Sequence, residues 1–254
     1  NKTIQKVSIY YDKIIEYPST EKFSEKIQNQ TIHDIKRYGK WIIFILDTDY
    51  LLSHLRMEGK YFIKEKNAIH NKHEHVTFLF TSNEELRYHD VRKFGKMLLI
   101  PKDKIAKIGP LKEMGKEPWD KTLTNTYLEE KLKKKTIPIK SSLLDQSIIV
   151  GIGNIYADEI LFSSNINPLK KSNTLTSKER QAIIINTRKI LEKAIEKGGT
   201  TIRSYTSVNG VHGLFQQELS VHGKENQPCP ICKSKILKIK VAGRGTYYCP
   251  RCQK

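Results

Sequence analysis

Residues 229–252 read CPICKSKILKIKVAGRGTYYCPRC, and the cysteine spacing in this stretch decides how the end of the chain folds. Each Cys-x-x-Cys makes a tight knuckle that aims two thiolates at one point. Two knuckles complete a closed tetrahedral zinc site with no position left for a substrate, so the metal is structural. Cys229, Cys232, Cys249 and Cys252 are the 4 cysteines of the chain. Their clustering argues against a distributed disulfide framework and for one zinc ion in a reducing, cytoplasmic setting. Two disulfides or a redox pair are the alternatives. Between the knuckles, residues 241–246 have the composition of a hairpin turn with Arg244 at its tip. A turn arginine is ordinarily just solvated. On a metal-fixed hairpin it is placed to meet a phosphate or a groove.

Working outward from the ribbon, the first hundred residues read mostly as short strands, at 6–11, 41–47, 51–57, 61–64, 76–80, 85–89 and 96–101, with a short helix over 23–29. Evenly spaced short strands predict a sandwich or barrel. Proline and glycine across 109–118 mark a linker. Helical periodicity follows at 125–135, 141–146, 156–165 and 177–196. Thr176 with Glu179 has the form of a capping box, and Gly198-Gly199 of a helix stop. A Gly/Ser/Asn/Thr-rich stretch over 200–213 then leads to the ribbon.

The chain carries 45 Lys+Arg against 27 Asp+Glu, a formal net charge of +18 in 254 residues. A Lys-rich solvated surface is the bland explanation; a polyanionic partner is the sharper one. The longest apolar runs, 41–46 and 148–152, fall far short of the roughly 18 residues of a membrane span. No basic amphipathic helix has a clean apolar face either, so a membrane partner is not expected.

Three further motifs bear on chemistry. Residues 150–159 (VGIGNIYADE) place glycines before a helix start, where free N–H groups meet a phosphate, although a GxG alone equally fits a packed helical corner. Residues 53–60 (SHLRMEGK) and 90–95 (DVRKFG) sit at strand ends. A Met or Phe there is more often core than functional. An exposed Met, Arg and Phe that converge would instead form the wedge a base-flipping protein needs, because the vacated stack must be filled.

Taken together, residues 39–40, 54–60, 86–95, 150–159, 198–205 and 229–254 closely resemble the formamidopyrimidine-DNA glycosylase family, in the family's order and across nearly the whole chain. The resemblance implies an α+β multidomain fold: an N-terminal two-layered β-sandwich over 1–112, a helix–two-turn–helix domain with a lesion-lid loop over 113–213, and a four-cysteine zinc ribbon over 214–254. It implies a monomer that binds double-stranded DNA containing oxidised bases or abasic sites. The activity it implies is base-excision repair: removal of 8-oxoguanine and formamidopyrimidines, then β,δ-elimination through a Schiff base on an N-terminal proline.

The site residues implied by the resemblance are these. Lys40 and Arg244 assist elimination and hold phosphates near the lesion. His54, His73, Lys135 and Asn154 contact DNA. Met57, Arg92 and Phe94 form the intercalating triad, with Arg92 facing the estranged cytosine. Glu58, Lys140, Tyr205 and Phe215 surround the lesion. The match begins only at Lys2, so the chain is expected to lack the family's proline nucleophile and the glutamate after it, and to be inactive as it stands. Two other readings remain: the sister glycosylase for oxidised pyrimidines, and a non-catalytic zinc-ribbon DNA-binding protein.

Overall fold

In the computed structural model, which describes residues 1–200 and 213–254, the chain divides into two compact units, Asn1–Glu113 and Met114–Lys254.

The first unit is built from β1 (Lys2–Ile9), β2 (Ile15–Tyr17), α1 (Thr20–Ile27), β3 (Thr31–Ile32), β4 (Asp34–Tyr38), β5 (Trp41–Ile45), β6 (Asp49–His54), β7 (Lys60–Glu65), β8 (Glu74–Phe80), β9 (Glu84–His89) and β10 (Lys96–Pro101). These strands form two five-stranded sheets, ordered β3-β1-β8-β9-β7 and β2-β10-β6-β5-β4. Neighbours run antiparallel except β10 with β2. The core gathers Ile4, Phe23, Ile27, Phe44, Leu51, Phe78, Tyr88, Met97 and Leu99. Burying such side chains stabilises by roughly 1.5–3 kcal/mol each, which is why a two-layered stack forms at all. The edge strands are charged and half exposed: Asp34, Lys36 and Arg37 on β4, Lys60, Lys64 and Glu65 on β7. Charge on an edge discourages pairing with another chain. The expected strand over 51–57 stops at His54, because Arg56 takes a left-handed φ of 53° and Gly59 N–H donates to Leu55 O, closing a turn.

One buried cation organises the flank of this unit. The Arg87 side chain on β9 has 0% exposure. It donates to Glu74 Oε2 at 2.9 Å, Glu85 Oε2 at 2.8 Å, Ala68 O at 2.8 Å and Ile69 O at 3.2 Å. A guanidinium is tolerated there because its planar fork finds acceptors on every side. The segment joining β7 to β8 is thereby tied down.

The second unit contains α2 (Asn125–Leu132), α3 (Ile139–Leu144), α4 (Asn154–Ser163), α5 (Ser177–Glu196), β11 (Leu237–Val241) and β12 (Arg244–Tyr248). Its core joins Leu128, Leu132, Ile139, Leu143, Ile149, Ile160, Leu161 and Ile183. From Ala157 to Phe162, α4 is buried on every face, packed against α3, α5 and β12. Such all-round burial explains why it reads as apolar rather than as amphipathic. The capping box of α5 forms as expected, Thr176 Oγ1 accepting from Glu179 N and Glu179 Oε2 from Thr176 N. Gly198 and Gly199 end the helix with φ of 70° and 87°. Among the described residues, no helix is long and apolar enough to cross a membrane.

Replacing Arg87 by Met leaves the buried Glu74 carboxylate without its guanidinium. Urea melts are expected to show a loss of about 3–5 kcal/mol. Lys96→Ala, which breaks the half-exposed pair with Glu16, is expected to cost less than about 1 kcal/mol in the same assay.

Candidate nucleic-acid interface and metal centre

In the first unit, strand register gathers the expected residues at one end of the sandwich. β6 and β10 lie in one sheet, β7 and β9 in the other, so residues 55–59 and 90–95 both cross from sheet to sheet. His54 pairs with Lys96 and Lys60 with His89, which sets the two crossings side by side. Trp41 pairs with His54, bringing the Gly39-Lys40 turn to the same end with Lys40 exposed. Glu74 pairs with His89, bringing His73 there as well.

The two crossings meet on a single atom. The Tyr88 side chain is fully buried, and its hydroxyl donates to Asp90 Oδ2 at 3.1 Å. A Cβ at Gly59 would lie 2.5 Å from that hydroxyl, and one at Gly95 only 1.7 Å away. Both positions are glycine because the hydroxyl occupies the space a side chain would need. Asp90, 1% exposed, also accepts from Arg92 N at 3.0 Å, Phe94 N at 2.9 Å and Gly95 N at 2.9 Å. Around this buried pair the crossings hold their large side chains outward: Met57 is 65% exposed and Phe94 53%. The Arg92 guanidinium lies 4.8 Å from the centre of the Phe94 ring, a cation–π contact. Glu58 is half-buried beside Met57.

His54 is held in one protonation state. Its Nδ1 accepts from Arg56 N at 3.0 Å, and its ring packs edge-on to Trp41 at 5.0 Å. Burial, with the charges of Arg56, Lys40 and Lys96, lowers its pKa from 6.5 to about 4. With Nδ1 an acceptor, the neutral ring carries its proton on Nε2, leaving that N–H as the donor.

In the second unit the zinc hairpin is bolted to α4. Ala242 and Gly243 both have positive φ, and exposed Arg244 follows them. Such a two-residue turn suits the twist of the flanking strands. Asn154 Nδ2 donates to Gly245 O at 3.0 Å, while Asn154 Oδ1 is buried without a partner among the described residues. Lys140, expected beside the lesion, lies in the interior of this unit. Its side chain has 0% exposure; its ammonium forms an ion pair with Asp158 at 2.7 Å and donates to Gly245 O at 2.9 Å and Thr246 Oγ1 at 2.8 Å. Burial holds it below the usual lysine range against the opposing pull of Asp158. Asp158 Oδ2 accepts from His222 Nδ1 at 2.7 Å and Tyr247 N at 3.2 Å. Glu159 accepts from Ser220 N, Val221 N and His222 N. Lys135 is half-buried and paired with Asp145 at 3.1 Å.

Phe215, also expected beside the lesion, is 3% exposed and packed with Ala194 and Leu219. Tyr205 lies outside the described residues. Thr200 and Leu214 form a β-bridge, and a Cβ at Gly213 would lie 2.3 Å from Gly199 O, so residues 199–200 lie against residues 213–214. Sequence reasoning passed over Tyr88, Asp90, Asp158, Glu159 and His222. An Asp at a strand end with Gly five positions on is a turn signal that could have pointed to Asp90.

The four cysteines come together as expected. Their Sγ atoms lie within 4.8 Å of one another, with Cys229···Cys252 at 3.9 Å and Cys232···Cys249 at 3.4 Å. Thiolates tetrahedral about a zinc at ~2.3 Å stand about 3.8 Å apart, whereas a disulfide would need about 2.05 Å. The donor set therefore fits one structural zinc ion.

Stripping zinc with a strong chelator is expected to unfold the ribbon, since such ions contribute roughly 10–16 kcal/mol to small modules. Limited proteolysis should then cut within 219–254 while the first unit survives. NMR titration of His54 is expected to show a neutral ring down to about pH 4. The unfolded ring takes up its proton near 6.5. This site should therefore reduce stability as pH falls through the window between those values.

Comparison with known proteins agrees with these arrangements. Three family models match: the formamidopyrimidine-DNA glycosylase N-terminal domain over residues 1–97, the formamidopyrimidine-DNA glycosylase H2TH domain over 114–206, and the zinc finger found in FPG and IleRS over 226–254. Formamidopyrimidine-DNA glycosylase of Oceanobacillus iheyensis is 46% identical over 100% of this chain and 91% of its own length. That of Exiguobacterium sibiricum is 46% identical over 100% and 92%. Among solved structures, a Lactococcus lactis FPG mutant in complex with Fapy-dG containing DNA has a TM-score of 0.91 and 39% identity, covering 100% of this chain and 93% of that one. Lactococcus lactis Fpg with DNA containing an abasic site gives 0.90 and 39%, with the same coverage. The chain belongs to the formamidopyrimidine-DNA glycosylase family.

Proposed function

We propose that this protein is a base-excision repair glycosylase that extrudes oxidised purines, 8-oxoguanine and formamidopyrimidines, from double-stranded DNA, excises them and cleaves the abasic strand. The observation that carries this reading is the seating of two adjacent turns on the Tyr88 hydroxyl, with Met57, Arg92 and Phe94 projecting from them. Flipping a base costs a few kcal/mol, and side chains that fill the vacated stack offset part of that cost. Met57 and Phe94 supply the apolar wedge. Arg92 supplies donors only. A cytosine opposite the lesion presents two adjacent acceptors, N3 and O2, to those donors, while an adenine presents a single acceptor beside a donor. The reading therefore favours lesions paired with cytosine.

Phosphates on either side of the extruded nucleotide are held by four groups in this proposal. Lys40 and Arg244 bring charge, which also stabilises the phosphate leaving group during elimination. His54 brings its neutral Nε2–H, and Asn154 a short polar head at the start of α4. His73 adds a further DNA contact. Lys135 reaches DNA only by giving up Asp145, and Glu58 is placed to line the lesion pocket beside Met57. The covalent step belongs to a secondary amine at an N-terminal proline, which attacks the sugar C1′ and forms a Schiff base. The protein would work as a monomer on chromosomal DNA in the cytoplasm.

Borohydride trapping on duplexes with 8-oxoguanine opposite C or A tests this. Trapping through an N-terminal proline is expected, with preference for C. Arg92→Ala is expected to reduce that preference about ten-fold, in line with roughly 1–3 kcal/mol for a base-edge contact. No adduct on 8-oxoguanine, with efficient trapping on thymine glycol, would move the assignment to oxidised pyrimidines.

A further inference from the structure

We propose that Tyr88 and Asp90 are positioning residues that hold the Met57 turn and the Arg92–Phe94 turn as one preformed unit, so that the three side chains enter a duplex together. This rests on the wedge reading above. Asp90 is fixed through every polar atom it has. Its N–H donates to His73 O at 2.9 Å and its carbonyl accepts from His75 Nε2 at 2.8 Å. Its carboxylate takes the three N–H groups of Arg92, Phe94 and Gly95 together with the Tyr88 hydroxyl.

Wrapping the loop round this carboxylate stabilises a backbone that is otherwise unfavourable. Lys93 sits at φ 57°. A non-glycine residue enters that region only when its surroundings compensate. The Tyr88 hydroxyl then carries the constraint across to the other crossing, because it fills the space above both Gly59 and Gly95. Burial and the adjacent Asp90 charge raise Tyr88 far above its ordinary ionisation range, so the hydroxyl stays a donor. The consequence is entropic. Exposed side chains on free loops lose their freedom at the moment of insertion, whereas side chains on a braced pair of turns have lost much of it on folding.

The test uses binding to a duplex with a tetrahydrofuran abasic analogue, beside an undamaged duplex, with 2-aminopurine next to the abasic position reporting unstacking. Tyr88→Phe removes one oxygen from a buried ring. Asp90→Asn replaces an acceptor oxygen by an amide that cannot accept. Both are expected to lower the ratio of abasic to undamaged affinity about ten-fold, the scale of a hydrogen bond to a charged group, and to weaken the 2-aminopurine signal. Affinity for undamaged DNA is expected to stay within about two-fold, which separates lost positioning from lost folding. If Asp90→Asn fails to fold, Tyr88→Phe alone decides. The inference is overturned if these variants keep ratio and signal while Arg92→Ala and Phe94→Ala lose them. If Arg92→Ala and Phe94→Ala keep them too, the wedge reading falls first and takes the positioning role with it.

Discussion

The Asp158 carboxylate on α4 has 0% exposure and is surrounded by Lys140, His222 and the backbone of Tyr247. A charge so placed is tolerable only because donors from three separate segments converge on it. Removing any of them would leave the charge poorly compensated, so the three segments are constrained to stay together. Glu159, next along the helix, does the same with three consecutive backbone N–H groups of residues 220–222. Asp90 repeats the device in the first unit. Asp158 and Asp90 each act as the nucleus of a hairpin or loop that carries an exposed arginine. The fold thus uses its few buried acids to fix where its cations point.

This arrangement gives the large excess of positive charge a structural reading. Of the acidic side chains, several of the most buried, Glu74, Asp90, Asp158 and Glu159, are engaged by internal donors and contribute little to the outer field. Exposed lysines and arginines such as Lys40, Arg56, Arg92 and Arg244 are left to dominate the surfaces they occupy. Long-range attraction of a polyanion follows from that imbalance, and its sequence-independent part is set by how many phosphates the cations meet.

What could be read from the sequence was what depends on near neighbours. The two Cys-x-x-Cys knuckles, the Thr176–Glu179 cap, the Gly198-Gly199 stop and the run of short strands are local patterns with local causes, and all appear in the structure. The surroundings of Lys140 were not legible because its partners Gly245 and Thr246 lie 105 and 106 residues away, and no local pattern marks a lysine that will be buried. The packing of Phe215 was hidden for the same reason: it follows a polar stretch of sequence, but its partner Ala194 belongs to α5. Nothing local in the sequence singled out Tyr88. Its role depends on two glycines, Gly59 and Gly95, that are remote from each other in sequence and meet only because β6, β7, β9 and β10 cross between the sheets in register.

The pinned bases of the segment after α5 bear on how the protein can change. Thr200 bridges Leu214, and Gly213 lies too close to Gly199 O for any larger residue. A side chain at position 213 would have to push the Gly199 carbonyl aside, so only glycine fits this junction as it stands. Any larger residue at this junction would therefore be felt along the chain, at the end of α5 on one side and at the packed Phe215 on the other.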